Sequence, residues 1–176
     1  MNKSELDIEE TKRKLRKGLR QDLYKMTREW PYKNVPRKIL AEKYMTDESG
    51  TELKDYKVFN FNGVPEIIQV DYGRFTNHYR NVYNTNWEFV KLEWECPCDE
   101  SLEIKRPEAL DEMLELARTL SKGLPHLRTD FYVIGKKKYW GELTFFHDSG
   151  MCPFKPEIWD ERLGNLIKLP EKIERR

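Results

Sequence analysis

The chain has 176 residues, of which 32 are Lys or Arg and 31 are Asp or Glu, so its formal net charge is +1. This length is typical of one domain that buries a substantial core. The near-balance of charge gives no overall attraction to nucleic acid or to an anionic membrane. No apolar run approaches the roughly 18 residues of a membrane-spanning helix, and the N-terminus has no apolar signal region. These features predict a folded cytoplasmic protein without nucleic acid or a transmembrane segment.

The N-terminal stretch has the pattern of a helix. Asp7 is a candidate N-cap, and Glu10 follows three positions later, as in a capping box. Leu15, Leu19 and Leu23 recur every four residues and form one apolar stripe. An N-terminal helical segment is therefore predicted over residues 1–30.

The middle of the chain has the pattern of strands. Pro31 and Pro36 interrupt the helical periodicity, and Asn62-Gly63 is a strong hairpin signal between two apolar runs. The predicted strands cover residues 37–45, 56–61, 66–72 and 86–95.

The C-terminal half begins with a helical pattern and continues as a hairpin. Pro107 suits a first helical position, apolar residues follow at helical spacing, and Gly123 suits the end of the helix. Strands are then predicted over 126–134 and 138–146, joined by a turn at 135–137. The order of elements predicts an α+β fold, in which helices lie on one face of a mainly antiparallel sheet. The sheet-containing lobe is predicted over residues 37–170, followed by a charged tail over 171–176.

The hairpin brings a set of polar side chains onto one surface. Arg128 and Asp130 lie two positions apart on one strand, as Glu142 and Thr144 do on the next, so each pair shares a face. Carboxylate and other oxygen ligands are those that Mg²⁺ prefers. On its own, the pattern allows a metal site but favours a solvated face that carries a cross-strand Arg–carboxylate pair.

The cysteines favour free thiols. Their number is three, and an odd count is typical of reduced cysteines. Cys96 and Cys98 are the one close pair, and their spacing from His147 and Cys152 matches no standard zinc pattern.

Several motifs resemble one family. The motifs are Arg-Thr-Asp at 128–130, Glu-Leu-Thr at 142–144 and Asp-Ser-Gly at 148–150. Together they resemble the metal-binding end of an ATP-grasp ligase, and more narrowly the TupA-like ATP-grasp family of polysaccharide and teichuronopeptide biosynthesis. Further resembling segments are residues 28–32, 39–45, 53–63 and 159–164, so that the resemblance spans residues 3–170. It implies a single partial ATP-grasp domain, the C-terminal portion of that fold.

The resemblance implies roles for the hairpin residues. Asp130 and Glu142 would bind one or two Mg²⁺ ions that bridge ATP phosphates. Thr144 stands where related ligases usually have an asparagine ligand, and its hydroxyl is a weaker oxygen ligand. Arg128 would stabilise the transferring phosphoryl group, a role suited to a guanidinium.

The resemblance also implies six residues that bind ATP: Glu42, Lys43, Met45, Asp55, Lys57 and Arg74. The first three would surround adenine along a hinge strand at 41–45. The aspartate would accept hydrogen bonds from ribose hydroxyls, and the last two side chains would contact phosphates.

The implied reaction is ATP-dependent ligation of a carboxylate to an amine through an acyl phosphate, with a surface glycan or peptide as acceptor. Members of the family are also often labelled glycosyltransferases, which gives an alternative function. ATP-grasp enzymes close a Gly-rich loop over the triphosphate, and this chain resembles the part that follows that loop. The resemblance therefore also allows a second chain that supplies the missing lobe, or a non-catalytic remnant or partner domain.

Overall fold

A computed structural model describes residues 3–74 and 76–171 of the chain. The chain divides into two compact units, Met1–Tyr44 and Met45–Arg176. The predicted tail at 171–176 lies outside the described residues except for Glu171.

The first unit is helical. It contains α1 (Ile8–Arg20), α2 (Leu23–Thr27) and a 3₁₀ turn, Trp30–Tyr32. The predicted N-cap is confirmed, because the Asp7 side chain accepts a hydrogen bond of 2.9 Å from the Glu10 backbone N–H.

The leucine stripe does not run along one helix. Asp22 accepts a hydrogen bond from the Lys25 backbone N–H at 3.2 Å and caps a second helix. Leu15 and Leu19 therefore lie in α1, whereas Leu23 begins α2.

The predicted strand at 37–45 is wrong. Residues 35–47 have no regular secondary structure, and this range includes the expected adenine-binding hinge strand at 41–45. A strand needs a neighbour for its backbone N–H and C=O groups, and the described part of the first unit contains no strand. Ile39 and Leu40 are consecutive and both exposed, so the alternation of a half-buried strand is also missing.

The second unit is built on a six-stranded antiparallel sheet with the order β4-β3-β2-β1-β5-β6. The strands are β1 (Asp55–Phe61), β2 (Val64–Tyr72), β3 (Tyr79–Asn84), β4 (Phe89–Val90), β5 (His126–Ile134) and β6 (Lys137–Thr144). Its helices are α3 (Leu110–Leu120) and α4 (Ile158–Gly164). The predicted α+β class with a mainly antiparallel sheet is confirmed.

The turn between β1 and β2 follows its sequence signal. Asn62 and Gly63 have φ values of 52° and 81°. Two successive residues with positive φ match the twist of a two-residue hairpin, and Asn-Gly adopts this conformation at low cost. The predicted hairpin is confirmed.

Two strands differ from the prediction. β3 was not predicted, because Arg80 and Asn81 are buried polar residues and obscure the apolar pattern. The strand predicted over residues 86–95 is reduced to Phe89–Val90. Trp87 and Glu95 have φ values of 68° and 57°, and these left-handed conformations end the extended run on both sides.

One face of the sheet packs against α3. The helix buries Leu110, Met113 and Ala117 against a core that includes Val58 and Phe131. The predicted helix is confirmed, although it starts at Leu110 rather than at the proline three positions earlier.

The opposite face is half apolar and half charged. On β1, Phe59 and Phe61 belong to an apolar cluster that also contains Leu163 of α4. Asp55 and Lys57 occupy the same face at the other end of the strand. The alternation of β1 thus directs charged and apolar side chains to one side of the sheet, in two separate patches.

Replacing Leu110 by alanine should lower the free energy of unfolding by about 2–5 kcal/mol, because Leu110 is fully buried. Leu116→Ala is the matched control on the same helix. Leu116 is 41% exposed, so its loss should cost less than about 1 kcal/mol. Urea unfolding of both variants measures the difference, and equal losses would contradict the packing described for α3.

Candidate functional site

The charged patch is formed by four cationic and four acidic side chains. This charged cluster consists of Asp55, Lys57, Asp71, Arg74, Arg80, Arg128, Asp130 and Glu142. Most of its members are buried, so each charge needs a partner of opposite sign. The pairing of strands provides these partners.

The register of the sheet places opposite charges side by side. Lys57 of β1 lies opposite Asp130 of β5, and Asp71 of β2 lies opposite Arg80 of β3. Asp55 lies opposite Asp71 across β1 and β2, which leaves two carboxylates to be bridged by cations. Since directly opposed strand residues have close side chains, the network follows from the register.

Arg128 joins the two carboxylates of the predicted metal site. Its Nε donates to Asp130 Oδ1 and its Nη2 to Asp130 Oδ2, each at 2.9 Å. The same Nη2 donates to Glu142 Oε1 at 2.8 Å, and the Thr144 hydroxyl lies 3.0 Å from that oxygen. The four residues therefore share one face, as their positions on the predicted hairpin indicated.

Arg128 remains strongly cationic in this setting. Burial alone would lower its pKa, but the hydrogen bond to Asp130 and the nearby carboxylates outweigh burial and raise the pKa above its ordinary value. The fork to Asp130 is a bidentate, charge-assisted contact. Asp130 is buried, whereas the Glu142 side chain is 62% exposed.

The hairpin is irregular where Asp130 lies. The pairing of β5 and β6 shifts between Thr129 and Phe131, so β6 carries an extra residue there. A Cβ atom on Gly141 would lie 3.1 Å from the Tyr132 ring and 3.3 Å from the Asp130 carbonyl oxygen. Glycine permits this close approach immediately before Glu142.

Lys57 connects β1 to the hairpin. Its Nζ lies 2.6 Å from Asp55 Oδ2 and 2.7 Å from Asp130 Oδ2. The other oxygen of Asp55, Oδ1, is buried and accepts no hydrogen bond among the described residues. The sheet therefore holds an ammonium group between two buried carboxylates and leaves one buried acceptor beside it.

Asp71 organises the other half of the cluster. It accepts hydrogen bonds from Arg80 Nε at 3.0 Å, Gln69 Nε2 at 2.9 Å and Arg74 Nη2 at 3.2 Å. Arg74 Nη2 also donates to Asp55 Oδ2 at 2.6 Å and so bridges the two opposed carboxylates. Burial alone would raise the pKa of Asp71, but the charge and hydrogen bond of Arg80 outweigh burial and lower the pKa.

Asp71 and Arg80 were not among the residues expected from the sequence. Arg80 lies on the strand that was not predicted, and the partner of Asp71 is known only once that strand is paired. The sequence signal for this strand is that Arg80 and Val82 are two positions apart, as are Gln69 and Asp71 on the strand with which it pairs. Such alternation is short and weak when the alternating residues are polar.

A second group of donor atoms contains Glu95, Asp148 and Cys152. One atom of each lies within 4.8 Å of the others. Burial, and then the charge of Glu95, raise the pKa of Asp148, while Arg80 Nη1 lies 3.4 Å from Glu95. An arginine thus already compensates part of this group. The three cysteines of the chain are free thiols, as predicted.

The three residues expected to bind adenine do not belong to the charged cluster. Glu42 and Lys43 lie in the first unit and are exposed. Met45, the first residue of the second unit, is half-buried. Within the second unit, the structure brings together the other predicted site residues: Asp55, Lys57, Arg74, Arg128, Asp130, Glu142 and Thr144.

The donor set of the hairpin fits a hard cation. Asp130 and Glu142 provide carboxylate oxygens, and Thr144 provides a hydroxyl oxygen. Carboxylate-rich oxygen sets suit Mg²⁺ rather than softer metals. Arg128 lies between the two carboxylates, so joint coordination of a metal requires its guanidinium to move.

A helix-backed antiparallel sheet with this cluster on its open face matches the C-terminal portion of an ATP-grasp fold. The model of the TupA-like ATP-grasp family matches residues 1–168, nearly the full length of the chain, and the chain therefore belongs to this family. It is an ATP-grasp-type, ligase-like module. No curated protein and no solved structure gives a significant match.

Membrane-spanning helices are also missing from residues 3–74 and 76–171. No helix in these ranges combines the length and the apolar character needed to cross a bilayer.

His126 has an unusual environment next to the cluster. It starts β5, and its ring lies 4.9 Å from the Phe61 ring and 6.1 Å from the Phe59 ring, measured between centroids. Burial lowers the pKa of His126 to about 4. Its Nδ1 is buried and has no hydrogen-bond partner among the described residues.

The His126→Phe variant should lose less stability on acidification than the wild type. In the unfolded chain His126 has an ordinary pKa of 6.5, so between pH 6.5 and 4 the unfolded state binds more protons than the folded state. The contribution of His126 is full above pH 6.5 and decreases as the pH falls toward 4. From pH 7 to pH 5 the wild type should therefore lose about 2 kcal/mol more than the variant.

Urea unfolding at the two pH values measures this difference. A phenylalanine keeps an aromatic ring beside Phe59 and Phe61, so the variant should fold. The same pH dependence in both proteins would show that His126 is not held in its neutral form.

Proposed function

We propose that this chain is an ATP- and Mg²⁺-dependent carboxylate–amine ligase module of cell-surface polysaccharide or teichuronopeptide biosynthesis. The main observation that supports this proposal is the group formed by Arg128, Asp130 and Glu142, in which one guanidinium contacts two carboxylates on neighbouring strands. Membership of an ATP-grasp family supports ATP as the nucleotide. A surface glycan or its peptide is the proposed acceptor.

Asp130, Glu142 and Thr144 are the residues proposed to hold Mg²⁺. Bound there, the ion would neutralise phosphate charge during phosphoryl transfer. Asp130 is buried and also contacts Lys57, so one of its cationic partners remains in place when the Arg128 guanidinium moves. Glu142 lies at the exposed edge, where a nucleotide has access.

Arg128 is the proposed catalytic residue. Its guanidinium is already positioned beside the metal ligands and remains charged. When it leaves Glu142, its donors face the transferring phosphoryl group, and a planar fork suits two phosphoryl oxygens. The γ-phosphoryl group of ATP would be transferred to the carboxylate substrate, which forms an acyl phosphate and releases ADP. An amine would then displace phosphate.

The remaining residues are proposed to bind the nucleotide. Lys57 supplies positive charge to the phosphates from a fixed position, and the partly exposed Arg74 contacts them directly. Asp55 Oδ1 is an acceptor without a partner among the described residues, which suits a ribose hydroxyl. Glu42, Lys43 and Met45 are proposed to line the adenine through residues 41–45.

The Glu142→Gln variant should bind Mg²⁺-ATP more weakly by about 1–3 kcal/mol, because it loses one charge-assisted ligand and keeps its size. ATP titrated with chelator should change much less, since only the metal contact is lost. Isothermal titration calorimetry with Mg²⁺ and with chelator measures both quantities.

Glu66→Gln is the matched control, because Glu66 is an acidic residue on β2 of the same sheet and does not belong to the charged cluster. It should leave Mg²⁺-ATP binding unchanged. Equal binding by wild type and Glu142→Gln, or no binding by either, would reject the metal site. A preference for UDP-sugars over ATP in the same titration would favour the glycosyltransferase alternative.

A further inference from the structure

The surroundings of Lys57 resemble those of a metal ion. Its side chain is 11% exposed, and its ammonium group lies within 2.7 Å of an oxygen of Asp55 and of an oxygen of Asp130. The side chains of these two aspartates are 4% and 2% exposed. Two buried carboxylates that face one point need positive charge between them, and where a bound divalent cation supplies it, that ion is often the largest charge in the site.

Side chains next to Lys57 in the sheet include buried oxygen atoms that accept no hydrogen bond from the described residues. Lys57 contacts Oδ2 of each aspartate, while Asp55 Oδ1 is buried without a partner in the part of the chain that the structure describes. Gln69 lies opposite Lys57 on β2, and its Oε1 is likewise buried without a hydrogen bond. These unpartnered acceptors are costly in a low-dielectric environment unless a cation or donor reaches them.

We propose that the Lys57 ammonium group takes the place of a divalent cation between Asp55 and Asp130. On the basis of the proposed function, the site then binds one divalent ion together with the nucleotide, at Asp130 and Glu142, rather than two. An ammonium group has the compact point charge needed for this position, whereas a guanidinium group is planar and larger.

The charge balance of the cluster supports this role. Its four cationic side chains face its four carboxylates, and Arg80 also contacts Glu95, so the loss of Lys57 leaves negative charge in excess. Asp55 still has Arg74 and Asp130 still has Arg128, which lets a variant without the lysine fold. Both Oδ2 atoms then keep an arginine but lose the ammonium group, and the excess negative charge should attract a metal ion.

The test is Lys57→Met, with Mn²⁺ as the probe and no nucleotide. Methionine fills the volume of the lysine stem without a charge. The variant should bind one Mn²⁺ per chain more than the wild type, counted by loss of the free-ion signal in electron paramagnetic resonance. At about a hundred times the dissociation constant, Mn²⁺ should raise the unfolding midpoint of the variant by about 5–10 °C.

Two further variants serve as controls. Asp55→Asn combined with Lys57→Met removes one of the carboxylates and should lose the extra Mn²⁺. Lys54→Met removes another lysine, one whose Nζ lies 2.8 Å from a single buried carboxylate, that of Asp47. With one buried carboxylate in place of two, it should gain no Mn²⁺.

The outcomes separate this inference from the proposed function. An equal Mn²⁺ count in wild type and Lys57→Met, or a variant that stays unfolded at every Mn²⁺ concentration, would overturn the inference. Because no nucleotide is present, the result does not depend on ATP binding. The Mn²⁺ count is then repeated with ATP present. We expect one ion in the wild-type complex and two in the variant complex. Two ions in the wild-type complex would also overturn the inference.

Discussion

The ion pairs between β1 and β5 are the constraint on which the open face of the sheet depends. Asp130 is almost fully buried and is compensated on one side by Lys57 and on the other by Arg128. Each of the two cations offsets part of the cost of burying this carboxylate. A shift of one residue in the register would turn these side chains to the α3 face, where the neighbours are apolar. The strand register therefore determines which charges pair, and the charge pairs in turn stabilise that register.

The division of this face into an apolar and a charged half makes its two ends chemically different. The apolar half is covered by the C-terminal segment, including Leu163 of α4. The charged half extends to the exposed edge at Glu142. Arg128 links the buried and the exposed parts of the cluster, so it is the residue through which a ligand at the edge would affect the buried charges. The phosphoryl chemistry proposed above rests on this placement rather than on the fold alone.

Local signals predicted the elements whose partners are close in the sequence. The Asn62-Gly63 turn, α3 and the hairpin that carries Arg128 and Glu142 all rest on short-range patterns, and the structure contains all of them. The predicted strand at 37–45 failed because apolar composition does not supply a neighbouring strand. β3 was not found because its buried Arg80 and Asn81 do not look like core residues. Burial of polar residues depends on partners from other strands, which no local pattern reveals.

The sequence by itself determined the family, the α+β class and the shared face of Arg128, Asp130 and Glu142, because alternation along a strand and a short hairpin fix which side chains meet. Tertiary structure alone decided that Lys57 lies between Asp55 and Asp130, and that Asp71 joins Arg74 to Arg80. The Lys57–Asp130 contact joins residues 73 positions apart. It exists only because β1 and β5 pair in one register, and that register is set by the combined burial of both faces of the sheet.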